Sequence, residues 1–321
     1  MRIFVAGATG AVGRRLVPRL VRAGHSVVGL TRTSEKAAFV RNLGAEPVVA
    51  DALDANALEA MVVSARPDVI VHELTDLKGA SDLRKFDRAF ASSNRLRRQG
   101  TDNLLRAARA AGVNRVVAQS FCGWPYARTG GPIKSEQDPL DPEPPREFGP
   151  TLDAIKYLEA AVTEASALAG IVLRYGAFYG PDTGVFDGAF VEQLRHRRVP
   201  LIGSGNGWWS FLHIEDAAQA TAIAVEHGSP GIYNIVDDEP APVHEWLPAL
   251  AEMLGARPPL RVPEWLARMI AGEHMVVLMA QCRAGSNAKA RRDLGWRPAY
   301  PSWRGGFAEI IEQRKQDRRA A

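Results

Sequence analysis

Cysteine is nearly absent. The 321 residues hold two, Cys122 and Cys282, with no C-x-x-C pair. That excludes a disulfide framework and a zinc site of paired thiolates, and makes a reducing cytosol the expected compartment. No apolar run approaches the ~18 uninterrupted residues that span a bilayer. A strand-like segment, RIFVAG, begins at Arg2, so no signal peptide is expected ahead of it. Neither sign of charge dominates: 40 Lys plus Arg face 36 Asp plus Glu. The basic residues fall in scattered groups: Arg95, Arg97 and Arg98; Arg195, Arg197 and Arg198; and a tail with Arg314, Lys315, Arg318 and Arg319. None is interleaved with aromatics on a repeating face. They read as solvated surfaces, so neither nucleic acid nor a membrane is an expected partner. Metal-ligand spacing is missing, so no metal is expected, and no G-x-S-x-G precedes a helix.

What the chain does contain is alternation. Short β-branched runs occupy Arg2–Ala6, Ser26–Thr31, Pro47–Ala50, Val69–His72, Arg115–Gln119 and Ile171–Arg174. Helical patterns separate them at Val12–Ala23, Ser34–Leu43, Ala55–Ser64, within Asp82–Ala111, and at Thr151–Ala169. Such alternation with nearly continuous apolar strands predicts an α/β fold, a doubly wound parallel sheet of Rossmann type. After Gly176 the pattern loosens. A helix at Glu215–His227 and a strand at Ile232–Val236 return to the sheet, whereas 243–254, 263–281, 287–294 and 302–315 read as helices of a smaller lobe. The expected domains are 1–176 with 207–236 for dinucleotide binding, and 177–206 with 237–321 for a mainly helical substrate lobe. Residues 123–150, dense in Pro, Gly and charge, form a long loop, a common form of functional lid.

The first turn carries chemistry. Residues 7–13 read GATGAVG, between the first strand and the first helix. Glycine permits the tight turn and lets the backbone approach a pyrophosphate, and the helix N-terminus offers N–H groups to the anion. Gly7, Thr9, Gly10, Ala11, Val12 and Gly13 are therefore the candidate phosphate cradle. The second strand ends GLTRT, without the acidic residue that receives a ribose 2′-hydroxyl. Arg32 stands there instead and suits a 2′-phosphate, which favours NADP(H) over NAD(H). Asp51, ending the third strand, is a candidate acceptor for the adenine amino group or a helix cap.

With these features assembled, the chain resembles the extended short-chain dehydrogenase/reductases of the NAD(P)-dependent epimerase/dehydratase group. GATGAVG is similar to the family's nucleotide fingerprint, GTDNLLRAARAAGVNRVVAQS to its helix and fifth strand, and GIVLRYGAFYGP to its sixth strand. FLHIEDAAQATAIAV, GIYNIVDDEP and DLGWRP match later landmarks. The resemblance implies that Ala52, Leu74, Tyr175, Gly176 and Phe178 help line the cofactor crevice. It implies that Lys156 holds the nicotinamide ribose, and that a homodimer forms through helices in Asp82–Ala111 and Thr151–Ala169.

Two departures stand out. The family's proton-donating tyrosine sits four residues before the lysine, on the same helix face. Here that position is Leu152, while Tyr157 is about 100° round the helix and reads as core. Nucleotide-sugar members carry an arginine two residues before the Phe of F-x-H-V-x-D. Here it is Trp209, which suits a more apolar pocket than a diphosphate needs. The proton then has other candidate sources at the carboxyl edge: Ser120 (with Phe121 as an alternative alignment), Tyr126, Tyr179, or the segment His72, Glu73, Thr75 and Asp76. Ser120, Tyr126 and Lys156 are the catalytic candidates. Trp124, Tyr126, Tyr179, Trp208 and Trp209 are the candidate substrate wall. The expected function is an NADP(H)-dependent oxidoreductase acting on a small, relatively apolar carbonyl or alcohol. The alternatives are a sugar epimerase or dehydratase, and a non-catalytic NAD(P)-binding sensor.

Overall fold

The apolar runs assemble into one parallel sheet. In the computed structural model, which describes residues 1–76, 86–181, 183 and 188–320, the strands are β1 (Arg2–Ala6), β2 (Ser26–Thr31), β3 (Glu46–Val49), β4 (Val69–His72), β5 (Arg115–Phe121), β6 (Ala169–Tyr175) and β7 (Gly231–Ile235). Their spatial order is β3-β2-β1-β4-β5-β6-β7, with every neighbouring pair parallel. Alternate side chains serve opposite cores: Ile3 and Val5 of β1 enter one cluster, Phe4 and Ala6 the other.

Helices cover both faces. α1 (Gly13–Arg22) is followed by α2 (Ala37–Asn42) and α3 (Ala55–Ala65). Asp54 caps α3 by accepting from Asn56 N and Ala57 N at 3.1 and 3.0 Å. The helix expected within Asp82–Ala111 is α4 (Phe86–Arg95), a π turn at Leu96–Gly100, and α5 (Thr101–Ala110); residues 82–85 lie outside the described residues. α6 (Gly149–Thr163) ends six residues before the expected Ala169. Ala167 takes φ 64°, and Gly170 enters β6 so close that a Cβ there would lie 1.9 Å from Val162 O.

Beyond the sheet, α7 (Gly188–Arg195) precedes α8 (Ile214–His227), which packs on α1's face of the sheet. The smaller lobe holds α9 (Val243–Met253), α10 (Glu264–Ala271), α11 (Glu273–Val276), α12 (Ala288–Asp293) and α13 (Trp303–Ala320). The single helix expected over 263–281 is broken because Gly272 takes φ 91° between α10 and α11; a π turn, Val277–Gln281, completes the segment. This lobe has its own core of Trp246, Trp303, Phe211, Phe307 and Tyr179. The 123–150 loop is tied down by a Tyr126–Leu140 bridge and an Arg128–Asp141 ion pair of 2.9 Å. Arg97 departs from the solvated-surface expectation. It is buried and donates to Asn94 Oδ1 at 3.1 Å, and burial lowers its pKa to about 10.

Candidate active site

The crevice lies where the strand order reverses. β1 and β4 are neighbours, and the chain leaves them toward opposite edges, so their carboxyl ends open a cleft. The turn 7–13 lines it. Gly7 has φ 105°, and a Cβ there would lie 2.4 Å from Glu73 O; a Cβ on Gly13 would lie 2.2 Å from Gly7 O. Both positions therefore demand glycine. Gly10 N donates to Gly7 O at 2.9 Å and closes the turn. Gly10 is exposed, Thr9 and Ala11 are half-buried, and Val12 is buried under the turn. A bare backbone turn at the N-terminus of α1 is the arrangement that accommodates a pyrophosphate, so a dinucleotide fits these residues.

Arg32 is exposed at the end of β2, and Arg14 from α1 places its guanidinium 5.9 Å from the Phe39 ring on α2. Asp51 Oδ1 accepts from Leu53 N at 2.9 Å, within the turn before α3; the helix cap expected of it as an alternative is Asp54 instead. Ala52 is buried, with its carbonyl accepting from Asn103 Nδ2 at 2.9 Å. Leu74 is half-buried above His72, whose Nδ1 lies 3.3 Å from Leu74 N. Gly176 N donates to Ile235 O at 3.1 Å, and the half-buried Phe178 ring packs 5.4 Å from that of Tyr175. These residues collect along the carboxyl ends of β3, β4 and β6.

The proton-donor candidates lie inward of that line. Ser120 Oγ donates to Glu159 Oε1 at 2.7 Å. Arg174 grips Glu159 through Nε at 2.7 Å and Nη2 at 2.5 Å, and donates through Nη1 to Tyr126 Oη at 3.0 Å. Tyr126 Oη donates in turn to Asn234 Oδ1 at 2.7 Å, and Tyr126 is 0% exposed. Burial, above all, pushes the phenol upward. Ser120 and Tyr126 are thus links in one buried chain from α6 to β7, and neither hydroxyl is directed at the crevice as the sequence reading expected. Tyr179 is also fully buried, against Phe307 and His213 in the smaller lobe's core. His72 is buried with Nε2 3.0 Å from Thr101 Oγ1, and burial, aided by Arg97, lowers its pKa to about 4: a neutral, structural imidazole. Glu73 is buried with Oε1 2.8 Å from Tyr175 Oη, and Asp76 is fixed by Ser92 and Ser93.

Leu152, the residue standing for the tyrosine, is 0% exposed on α6. It sits among Phe86, Trp124, Phe148, Ile155 and Leu278, with Trp124 and Phe148 ring centroids 4.2 Å apart and Phe86 and Phe148 4.6 Å apart. Trp209 joins this cluster to the smaller lobe: its Nε1 donates to Leu278 O at 2.9 Å and its ring lies 5.0 Å from Trp246. Trp208 is half-buried, paired with Pro242. Lys156, one turn along α6, is exposed, with Nζ 3.4 Å from Asp141 O. Tyr157 is not core. Its hydroxyl donates to Asp102 Oδ1 at 2.6 Å and Arg98 lies over its ring, joining α6 to α5 on the outside. Sequence reading missed Glu159 and Arg174, though each is a charge inside an otherwise apolar run. It missed Phe86 and Phe148 because the cluster draws on four separate segments.

A glycine turn at the switch point of a parallel sheet, with a helical region after it, is the architecture of a doubly wound α/β protein. The chain belongs to the NAD-dependent epimerase/dehydratase family, which it matches over residues 3–236. It is 43% identical over 309 residues to a 3-diazoavenalumate denitrifying reductase of a Streptomyces species, covering 96% of this chain and 99% of that one. It is 28% identical over 318 residues to a 4-hydroxy-2-methyl-3-oxo-4-farnesyl-3,4-dihydroquinoline-1-oxide ketoreductase of Stigmatella aurantiaca, covering 92% of each. In fold it is similar to a UDP-glucose 4-epimerase of Thermus thermophilus in complex with NAD, at TM-score 0.74 and 23% identity, over 97% of this chain and 98% of that one. The family expected from the motifs is the one found, as is the doubly wound parallel fold.

Proposed function

We propose that the chain is an NADPH-dependent reductase whose hydride acceptor is a flat, conjugated molecule that needs no proton from the protein. The observation that carries this is Leu152, a leucine sealed among Phe86, Trp124 and Phe148 where the family's phenol acid stands. When bound, the nicotinamide supplies a hydride. A ketone that accepts it becomes an alkoxide and must be protonated, which is the missing tyrosine's task. An aryl diazonium behaves differently. The new C–H bond forms from the hydride pair, the C–N pair departs with dinitrogen, and the arene is complete without a proton. The name of the Streptomyces relative, a denitrifying reductase of a diazo compound, supports this acceptor class.

The chain's own residues have defined parts in this reading. The turn 7–13 cradles the pyrophosphate, and Arg32, exposed at the end of β2, receives the 2′-phosphate that selects NADPH. Lys156 holds the nicotinamide ribose. Trp124 and Phe148, packed on each other with ring centroids 4.2 Å apart, form an apolar wall that excludes water. A second reading, reduction of an apolar ketone, is supported by the ketoreductase relative and draws its proton from solvent. The epimerase/dehydratase and sensor alternatives are less well served, the first because Trp209 donates to Leu278 and brings no charge for a diphosphate. A homodimer through the outer faces of α5 and α6 accompanies the proposal; light scattering checks it.

The test uses purified protein, NADPH deuterated at the transferring position, and two panels: arenediazonium acids, and aryl and alkyl ketones. Enzyme-dependent release of dinitrogen with deuterium on the arene supports the proposal. Turnover of ketones alone, or an arene without deuterium, refutes it.

A further inference from the structure

Glu73 is out of character with its surroundings. It follows β4 at the strand-order reversal, and it continues the row Val69, Val71 that faces the apolar core under α1 and α8. It is 5% exposed. The phosphate turn rests on it: Glu73 N donates to Ala6 O at 2.8 Å, and a Cβ on Gly7 would lie 3.1 Å from Glu73 Cβ. Oε1 lies 2.8 Å from Tyr175 Oη, which lies 2.6 Å from Thr221 Oγ1, which lies 2.7 Å from Ala217 O. Oε2 is buried without a hydrogen-bond partner.

Tyr175 donates to Oε1, while Oε2 is buried with no donor facing it. A carboxylate there would hold an unsatisfied, desolvated charge, so the site favours the neutral acid. Burial is the larger influence and pushes this carboxyl up to about 8; the hydrogen bond from Tyr175 acts the other way and is smaller. Tyr175 is the titratable group facing Glu73 from β6. The charged side chains of the helices over this face are engaged elsewhere. Arg15 and Arg19 on α1 pair with Glu215 on α8 at 3.0 and 3.6 Å, and Asp216 accepts from Ala299 N and Tyr300 N.

We infer that Glu73 is a positioning residue for the cofactor: a neutral acid under the phosphate turn whose ionisation sets an anion beneath the pyrophosphate and weakens dinucleotide binding. This rests on the dinucleotide reading of the crevice. A binding step that requires one protonated group loses up to about tenfold in affinity per pH unit above that group's ionisation.

The experiment is NADPH titration of the full chain from about pH 6.5 to about pH 9.5, followed by nucleotide fluorescence, for the parent and Glu73→Gln. The parent's Kd rises steeply above about pH 8, and the Gln variant's profile is flat. A slope shared by both proteins, or no slope in the parent, overturns the inference. Glu73→Leu, apolar and of similar volume, repeats the comparison if the Gln variant fails to fold. Infrared spectroscopy separates the two layers of the argument. A protonated-carboxyl C=O band present in the parent near neutral pH and absent from Glu73→Gln is expected. Its absence from the parent overturns the neutral state of Glu73 whatever the cofactor does, whereas a band with no NADPH binding at any pH overturns the cofactor role.

Discussion

Replacing Tyr126 with phenylalanine decides between a structural and a chemical role for the residue that sequence position made the foremost acid. The substitution removes one oxygen and little volume. That oxygen receives Arg174 Nη1 at 3.0 Å and donates to Asn234 Oδ1 at 2.7 Å, in a fully buried site. Both partners lose a bond they cannot replace with water, and one of them is charged. The cost is about 2–4 kcal/mol of stability. Asn234 gains no relief, because its Nδ2 already lacks a partner. Denaturant unfolding followed by circular dichroism reads the stability change. Single-turnover hydride transfer, at a temperature where both proteins are folded, reads the chemistry. The expected outcome is a lower midpoint and a hydride-transfer rate within a few-fold of the parent. An unchanged midpoint with a rate lowered by about 100-fold or more would show that Tyr126 is the acid after all.

Three further outcomes follow from the geometry. Gly13→Ala places a methyl 2.2 Å from Gly7 O, so it displaces the phosphate turn and abolishes NADPH binding by calorimetry; retained binding would show that the turn is not the cradle. Arg32→Ala lowers the NADPH-over-NADH preference by about 10- to 100-fold, the worth of a charge-assisted contact, with NADH affinity little changed. His72 and His213 are both lowered to about 4 by burial, so they oppose unfolding least in acid: their contribution is complete above about pH 6.5 and is lost as pH falls toward 4, which urea midpoints across that window measure.

The fold was legible where one local pattern dictated one local structure. GATGAVG between a strand and a helix has few other uses, and β-branched runs of strand length fit a sheet buried on both faces. Helix ends were less legible. Gly272 breaks 263–281 through its φ of 91°, yet a glycine within a helical pattern is often tolerated. The site divides in the same way. Backbone-dictated residues, Gly7 and Gly13, lie where their sequence placed them. Side-chain direction is a tertiary property. Tyr126, Tyr179 and Ser120 occupy the correct edge of the fold, but Arg174, Phe307 and Glu159, all distant in sequence, turn them inward. Leu152 was visible as an absence. What fills its surroundings became clear only when Phe86, Trp124 and Phe148 met around it.

The pH and solvent-isotope dependence of the hydride-transfer step, measured in single turnover with an arenediazonium acceptor, tests the central claim most directly. With Leu152 where the acid would be, the step is flat from about pH 6 to about pH 7.5 and has a solvent deuterium isotope effect near 1. An ionisation in that window together with a solvent effect of about 2 or more would place a protein proton in flight and contradict the account.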